Sequence, residues 1–417
     1  SASPSSAPAT GPSSEPSGVP SDGPTALPTA MPTVTASSFT PPFDVGYNYA
    51  LYVDATSGSD LNDGRSQSSA FASLQKVSQM ATSSTAIYVA NGTYHNQNFG
   101  TGSVNSGSVV RFLNLTNILL SNLPGHSPRI EFDGLAGVSC YNVHGFEVRG
   151  FWVEGPARQI MYEEAIADRP LHSKRFSGRG IAVWGGDHIH IHDNVVSHAP
   201  GAGIRVDGSD YCTIAANVVY NNTWWSANAE SGVVLAQSRS TDTVNTIKMH
   251  IDSNTVFGNI NLIMYHSASL SDLADGPILD GSGIHVSQSF ESYPYGWIEL
   301  VNNVVFSNGV DGILVQATDR VIIRSNVLFA NGEVPRTPSM SRQSYAGLTM
   351  LSANDVLLWN NSVSTSLAED YAYVMDADSS LHPNSPSEEM NLACSNHVST
   401  ILLGLVDVSP ACTSQFV

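Results

Sequence analysis

The chain has 417 residues, and its 36 acidic and 17 basic side chains give a formal net charge of −19 at pH 7. Because nucleic acids are held by basic surfaces that neutralise phosphates, this charge excludes a nucleic-acid-binding function. No segment approaches the roughly 20 consecutive apolar residues that cross a bilayer, so the sequence predicts no membrane span.

Residues 1–42 are rich in Ser, Pro and Thr, with few large apolar side chains and no period. Such a segment cannot bury enough surface to offset the entropy lost on ordering, so we expect a disordered stalk whose hydroxyls are open to O-glycosylation. The sequence begins at Ser1 without a signal segment. That is expected of a mature protein secreted to the extracellular space or the cell surface, and equally of a trimmed chain.

The segment after the stalk, YALYVDATSGSDLNDGRSQSSAFASLQKVSQMATSSTAIYVANGTY, has the pattern strand, polar loop, short amphipathic helix, strand. A helix at this place can cover the open end of a β-solenoid, whose first coil would otherwise expose unpaired strand edges. We therefore expect an N-terminal cap.

Further along, the pattern G-I-x-V-x, a short turn and I-x-I-x-x-N-x-V recurs, as in GIAVWGGDHIHIHDNVV, GIRVDGSDYCTIAANVV and GILVQATDRVIIRSNVL. Two repeat intervals are 23 residues, 194 to 217 and 303 to 326, and the others are 23 plus an insertion. This period of short alternating strands predicts an all-β parallel β-helix over residues 43–385, with residues 386–417 as a C-terminal capping segment. A leucine-rich repeat would need an L-x-x-L-x-L frame and a helical half, which the repeats lack.

One asparagine falls in register in each copy of the repeat. These residues are Asn194, Asn217, Asn254, Asn303, Asn326 and Asn361. We expect their side chains to point inward, to stack in one ladder and to hold the turns by hydrogen bonds along the axis, which is a structural role.

Aligned copies place the insertions at one turn, just before each G-I-x-V strand. The insertions span residues 156–179, 221–230, 259–280 and 332–346. They are predicted to wall a groove over these strands, and function on solenoids usually lies on such a loop-lined face.

The four cysteines are predicted to play two roles. Cys394 and Cys412 lie in a polar C-terminal segment, where a disulfide would contribute roughly 3 kcal/mol. Cys140 and Cys212 fall at apolar repeat positions and are expected to be buried free thiols. Sequons for N-glycosylation occur at Asn91, Asn114, Asn221 and Asn360.

The cap segment, the coil NVVYNNTWWS and the coil GSGIHVS resemble right-handed parallel β-helix proteins of the pectate-lyase-like superfamily, over residues 48 to about 376. That group includes lyases, epimerases, hydrolases and proteins without known chemistry, so the resemblance implies the fold and a right-handed coil more than an activity. A calcium-holding Asp cluster, a D-P-H segment and the N-x-D, D-D and G-H-G signatures are missing. No catalytic residue is carried over from the resemblance, and the cofactor stays unknown, with calcium a candidate that has no clear site.

Alternate residues of the G-I-x-V-x strands point outward in two columns. One contains Ala182, Arg205, Val234, His285, Leu314 and Thr349, and the other contains Trp184, Asp207, Ala236, Ser287, Gln316 and Leu351. Two coils, roughly 10 Å, separate Arg205 from His285, which leaves room for one sugar ring or linkage. In a lyase, Arg205 would neutralise a uronate, and His285 or Lys174 would take the proton at C5.

The first insertion is the candidate patch for an anionic glycan, because it holds Arg158, Arg169, Lys174, Arg175 and Arg179. We assign substrate binding to Arg175. The alternative interpretation is that acidic residues of the same loop pair with these cations: Glu163, Glu164 and Asp168.

Further substrate contacts are assigned to Asp207, Trp184 and Trp224. Flat aromatic faces stack on sugar rings, but adjacent tryptophans cannot both face one way. At least one of Trp224 and Trp225 is therefore expected to pack under its loop.

The second strands carry one more polar column, formed by Glu147, His190, Thr213, His250 and Glu299. Two histidines and a carboxylate could bind zinc. Because Thr213 separates the histidine coils by about 10 Å, too far for one ion, we interpret this column as a solvated sheet face and predict no metal site.

Two functions of different class follow. One is a lyase or epimerase that acts on an acidic extracellular polysaccharide in the groove. The other is a structural glycoprotein of a cell wall, surface coat or extracellular filament, which uses the rod for self-assembly and the stalk as a spacer. A non-catalytic glycan-binding module is a third interpretation, which would need the tryptophans without the acid and base.

Overall fold

A computed structural model describes residues 46–228, 230–266, 278–334, 346–364, 371–375, 379–380 and 391–392. The stalk of residues 1–42 and the cysteines Cys394 and Cys412 lie outside the described residues. No helix in the described ranges is long and apolar enough to cross a membrane.

The described strands form a parallel β-helix with three strand positions in each coil, which we call sheets 1, 2 and 3. Sheet 1 comprises β4 (Val110–Leu113), the first halves of β7 (Ala136–Arg149) and β9 (Arg179–His192), β11 (Ile204–Asp207), β14 (Val233–Ala236), β17 (Ile284–Ser287), β20 (Ile313–Gln316), β23 (Ala346–Leu351) and β26 (Tyr371–Met375). Sheet 2 comprises β1 (Tyr49–Val53), β2 (Thr85–Val89), β5 (Thr116–Asn122), the second halves of β7 and β9, β12 (Asp210–Ala215), β15 (Ile247–Asp252), β18 (Trp297–Val301), β21 (Val321–Arg324) and β24 (Leu357–Trp359). Sheet 3 comprises β3 (Thr93–His95), β6 (Arg129–Glu131), β8 (Trp152–Glu154), β10 (Val195–Ser197), β13 (Val218–Tyr220), β16 (Thr255–Phe257), β19 (Val304–Phe306), β22 (Val327–Phe329), β25 (Ser362–Ser364) and β27 (Asn391–Leu392).

The coils stack in register, so each inward residue packs on its equivalent in the next coil. In sheet 1, Ile204 pairs with Ile181 before it and Val233 after it, and all three are buried. The alternation of inward apolar and outward polar residues therefore builds one continuous core along the axis. The chain has the right-handed parallel β-helix fold. Strand β27 lies within the segment predicted as a C-terminal cap, where it extends sheet 3 by pairing with β25.

The predicted asparagine ladder is confirmed at the turn between sheets 2 and 3. Each side-chain amide donates to the side-chain oxygen of the next asparagine at 2.9–3.1 Å, from Asn194 to Asn361. Each Nδ2 also donates to a backbone carbonyl of the preceding coil, as Asn254 does to Ile214 at 2.8 Å. The amide groups are thus satisfied without water.

A second ladder, which the sequence analysis missed, lies at the turn after sheet 3. Asn222, Asn259, Asn308 and Asn331 repeat the pattern, with Nδ2 to Oδ1 distances of 2.9–3.0 Å. Its signal was available, because each of these residues follows a ladder asparagine by five positions. The residue just before each asparagine of the first ladder adopts a left-handed backbone, as at Asp193 (φ 54°) and Ala216 (φ 54°).

The expected N-terminal cap is present. Helix α1 (Leu74–Met80) packs against β4 and β1, with Leu74 and Val77 buried and Ser73 capping its first turn. The chain also covers the edge of β1, since Phe71 donates its backbone N–H to Tyr52. A 3-10 turn (Gln67–Ser69) lies in the same loop, and a second 3-10 turn (Ala157–Gln159) and helix α2 (Tyr162–Asp168) lie in the first insertion.

Cys140 and Cys212 are free and buried, as predicted. They lie in different sheets, Cys140 in the sheet 1 half of β7 and Cys212 in β12. The sequon residues Asn91, Asn114 and Asn360 are exposed, whereas Asn221 is half-buried.

Candidate functional site

The insertions pack on one another beside sheet 1. Trp225 of the second insertion donates its Nε1–H to the carbonyl of Ala157 in the first at 2.7 Å, and Leu262 of the third donates its backbone N–H to Trp224 at 3.0 Å. Trp225 is buried and Trp224 half-buried, as expected for adjacent tryptophans. A small apolar cluster joins the three loops: Ala157, Ile160, Ala165, Phe176, Trp225, Ala227 and Ile263.

Both outward columns of sheet 1 have the predicted register, with Arg205 and His285 separated by Val234. The groove differs from the expectation, however, because most of these outward side chains are buried. Val234 is 1% exposed and His285 is 5% exposed. Exposure persists at Trp184, Asp207 and Gln316, so the face is open mainly along the column at the ends of the strands.

Beneath the loops lies a group of charged and polar side chains that we call the sheet 1 cluster. Its members are Arg179, Arg205, Asp207, Glu230, Asp280 and His285. Glu230, which has no exposed side-chain surface, accepts from Arg179 Nε at 2.8 Å and Nη2 at 2.5 Å, and from Arg205 Nη1 at 3.2 Å. Arg205 Nε also donates to Asp207 at 2.7 Å. One carboxylate thus holds two guanidinium groups from different coils.

The electrostatics of this part of the cluster favour full ionisation. Burial alone would raise the pKa of Glu230, but the charges of Arg179 and Arg205 outweigh it and lower that pKa. Burial would lower the pKa of Arg205, and the carboxylates of Glu230 and Asp207 raise it instead. Arg205 is therefore a cation that is already paired inside the protein.

The two remaining members have the opposite character. Burial and the Arg205 charge lower the pKa of His285 to about 4, so its imidazole is neutral near pH 7. Burial and the Glu230 charge raise the pKa of Asp280 well above its usual range, which favours the protonated carboxyl. His285 Nε2 and Asp280 Oδ2 are buried and accept or donate no hydrogen bond within the described part of the chain.

Sequence reasoning found Arg205, Asp207 and His285 but missed Glu230 and Asp280. A third acid, Asp311, also lies at this turn, where burial raises its pKa to about 6 and Thr349 Oγ1 donates to it at 2.7 Å. All three acids occur within three residues before the glycine that opens a sheet 1 strand, in ESGVV, DGSGIHV and DGILV. The recurrence of an acidic residue at that turn is visible in the sequence and could have identified Glu230 and Asp280.

The other predicted substrate contacts do not converge on the cluster. The ring of Trp184 stacks on the ring of Tyr141, with centroids 4.6 Å apart. The Arg179 guanidinium lies over the Trp184 ring, 5.3 Å from its centroid. Arg175 forms an ion pair with Asp133 at 3.1 Å, and Lys174 is exposed. Within residues 156–179, all of which are described, no ion pair joins the loop's cations to its own acids, so the predicted pairing inside the loop is absent there.

The polar column of sheet 2 has the predicted register, but it is not the solvated face that was expected, because His190, Thr213 and Glu299 are buried. Its residue His250 pairs with a carboxylate. His250 Nδ1 lies 3.3 Å from Glu299, and His192 of the neighbouring column lies 3.2 Å from Glu147. Among the described residues, no three His, Cys, Asp or Glu side chains converge as a metal site. A surface depression does lie at the N-terminal end of this face, on a different sheet from the sheet 1 cluster, and Tyr47, His144, Asp187 and His188 contribute to its lining.

The match to one protein family agrees with this architecture. The family described as right handed beta helix region matches residues 103–275. Among solved structures, a pectate lyase is 14% identical, with a TM-score of 0.44 over 85% of this chain and 83% of that chain. A rhamnogalacturonan lyase is 13% identical, with a TM-score of 0.46 over 82% of this chain and 89% of that chain. The A-module of a mannuronan C-5 epimerase from Azotobacter vinelandii is 15% identical, with a TM-score of 0.39 over 71% of this chain and 71% of that chain. Comparison with curated protein sequences finds no significant match.

Proposed function

We propose that the chain is a secreted polysaccharide lyase or epimerase that acts on an acidic glycan at the sheet 1 cluster. The observation that carries this proposal is a set of three buried atoms without a hydrogen-bond partner among the described residues, His285 Nε2, Asp280 Oδ2 and Asp207 Oδ1, close to the Arg205 guanidinium. A buried polar atom without a partner costs about 1–3 kcal/mol, so three in one cluster require an explanation beyond stability. A substrate that supplies the missing partners is such an explanation.

The protonation states suit elimination from a uronate. Neutral His285 would take the proton at C5, and the electron pair of that C–H bond would form the C4–C5 double bond as the bond from C4 to the glycosidic oxygen breaks. The protonated carboxyl of Asp280 would give its proton to the departing oxygen. The guanidinium groups of Arg179 and Arg205 would stabilise the charge that develops on the uronate carboxylate. In an epimerase, C5 would instead receive a proton on its opposite face.

One observation favours the structural glycoprotein as a second candidate. The ion pairs from Arg179 through Glu230 and Arg205 to Asp207 tie three consecutive coils together, and they join groups of the protein alone. A cluster that only stabilises a rod would have this network. It would gain nothing from the unsatisfied atoms of His285 and Asp280, which is why the enzyme is preferred.

The experiment is incubation of the full chain with polygalacturonate, alginate and other uronans, with absorbance of the unsaturated product as the readout for cleavage and NMR of C5 stereochemistry for epimerisation. The variants Asp280→Asn and His285→Gln should each lower the rate at least 100-fold. His250→Gln is the matched control, because this imidazole pairs with a carboxylate on sheet 2.

Retained activity in both cluster variants would contradict the site. If no uronan is cleaved, epimerised or bound by the intact protein, the enzyme proposal fails and the structural role becomes the better account.

A further inference from the structure

A depression on sheet 2, which shares no lining residue with the sheet 1 cluster, has the features of a binding site. It is lined by Tyr47, Thr116, Asn117, His144, Gly145, Phe146, Glu147, Asp187, His188 and His190. Its cavity volume of about 190 Å³ is below the roughly 300–1,000 Å³ of drug-sized ligand sites, so it is a small, shallow site. We call it the sheet 2 depression.

One carboxylate of its lining orients two imidazoles. Asp187 lies 2.7 Å from Nδ1 of His144 through Oδ2, and 2.6 Å from Nδ1 of His188 through Oδ1. Because an ionised carboxylate only accepts, both Nδ1 atoms must carry the proton. In a neutral imidazole the Nε2 atom is then an acceptor. Asp187 therefore fixes the tautomer and the ring direction of both histidines.

The lining also contains an amide and two hydroxyl groups that can form hydrogen bonds with a sugar hydroxyl. The amide of Asn117 is both donor and acceptor, and the hydroxyls of Tyr47 and Thr116 can be either. Burial lowers the pKa of His190 to about 4, so this imidazole is neutral near pH 7. The ring of His188 is held flat by stacking on Tyr211, with centroids 4.7 Å apart and planes 4° apart.

The charge of the depression selects the ligand. Its ten lining residues include two carboxylates, Glu147 and Asp187, and no Lys or Arg. Glu147 is balanced by Arg149 and His192, each 3.2 Å away, outside the lining. A uronate would therefore meet Asp187 without a cation in the lining to pair with it, whereas the hydroxyls of an uncharged sugar can both donate to and accept from these groups.

We propose that the sheet 2 depression binds a neutral saccharide, by hydrogen bonds from its hydroxyls to His144, His188 and Asn117. This site is separate from the sheet 1 cluster, and it binds an uncharged glycan where the sheet 1 cluster binds an acidic one. A chain with both sites would hold a neutral glycan on one face while an acidic glycan is bound on another. The proposal does not depend on any catalytic activity.

Titration calorimetry of the full chain at pH 7.5 with cellohexaose, xylohexaose and mannohexaose, and with hexagalacturonate as the acidic counterpart, tests the site. We expect at least one neutral hexasaccharide to bind. His144→Ala should weaken that binding 10-fold or more, and Asp187→Asn should do the same by releasing both imidazoles. His188 has φ 56°, so its test variant is His188→Asn, which tolerates that backbone.

The matched control is His250→Ala, which removes a carboxylate-paired imidazole from the same sheet outside the depression and should leave the affinity unchanged. Thermal unfolding of each variant separates lost binding from lost folding. Absence of binding for all three neutral probes, tighter binding of hexagalacturonate, or unchanged affinity in folded His144→Ala would overturn the proposal. Asp280→Asn should not alter this binding, so failure here is distinguishable from failure of the sheet 1 proposal.

Discussion

The asparagine ladder and the sheet 1 cluster bury polar side chains in two different ways. In the ladder, each neutral amide meets the same partners in every coil, and every donor is satisfied. In the cluster, the coils contribute different residues, the groups are ionised or have displaced pKa values, and three buried atoms lack partners among the described residues. Burial that repeats with the coil is explained by the fold, whereas burial that does not repeat points to a ligand.

The largest loss of stability is expected at Glu230, because its ion pairs tie neighbouring coils together. Glu230→Gln leaves Arg179 and Arg205 without their shared carboxylate, and breaking a buried ion pair from one side costs roughly 3–5 kcal/mol. Denaturant unfolding measures the loss. Glu131→Gln, which removes a partly exposed partner of Arg129, is the control and should cost below about 1 kcal/mol. Equal effects in the two variants would show that Glu230 is not central.

Removal of a single ladder amide should lower the free energy of unfolding almost as much. Asn254→Ala removes the acceptor of Asn217 Nδ2 and the donor to Asn303 Oδ1, and unsatisfied buried groups cost about 1–3 kcal/mol each. We expect a loss of about 3 kcal/mol in the free energy of unfolding, without a change in any ligand affinity. Asn98→Ala, at an exposed position, should be neutral. A ladder variant of unchanged stability would break the comparison.

The pH dependence of stability also distinguishes the cluster from the ladder, because asparagine side chains do not ionise whereas the cluster contains titratable groups. The folded pKa of His285 is lowered to about 4 by burial and by Arg205, against about 6.5 when unfolded. Below pH 6.5 the unfolded chain binds this proton more readily than the folded chain, so stability falls as the pH drops toward 4. Between pH 7 and pH 5, wild type should lose about 2 kcal/mol more than His285→Gln. Parallel pH curves would contradict a buried neutral His285.

The smallest effect concerns a third repeating element, the stacked rings on the outer side of sheet 3. Phe306 lies between Phe257 and Phe329, with ring centroids 4.9 and 4.7 Å away. Phe306→Leu keeps apolar volume but loses both stacking contacts, which should cost about 1 kcal/mol in thermal unfolding. Val304→Ala, on the same strand, controls for lost apolar surface. A cost no larger than that of the control would show that the rings only fill space.

The sequence predicted what repeats. The spacing of Asn194 and Asn217 determines the coil length, and the coil length places Arg205 and His285 in one column, as the structure confirms. It also located the insertions that precede the sheet 1 strands, but it missed those at residues 237–246 and 288–296, which follow sheet 1 strands. These predictions needed only the periodicity of the chain.

What the sequence could not supply is how the insertions fold over sheet 1. Nothing local to Glu230 indicates that it meets Arg179 from 51 positions earlier. The burial of Val234 and His285, which turns an expected open groove into a largely covered face, depends equally on loop packing. Such contacts set the pKa values of the cluster, and they have no period from which to infer them.

The left-handed residues that precede the first ladder have a consequence for how such a rod can diversify. At Asp193, Ala216, Ser253 and Asn302 the backbone has φ between 54° and 57°, and the next residue is always the ladder asparagine. An extra residue there would displace an amide from its neighbours above and below, so this corner tolerates no change in length. The two corners that flank sheet 1 carry the insertions, which precede its strands and, at residues 237–246 and 288–296, also follow them. One edge of the rod thus preserves its pitch while the other two are free to exchange loops, and new specificities can arise without redesigning the scaffold.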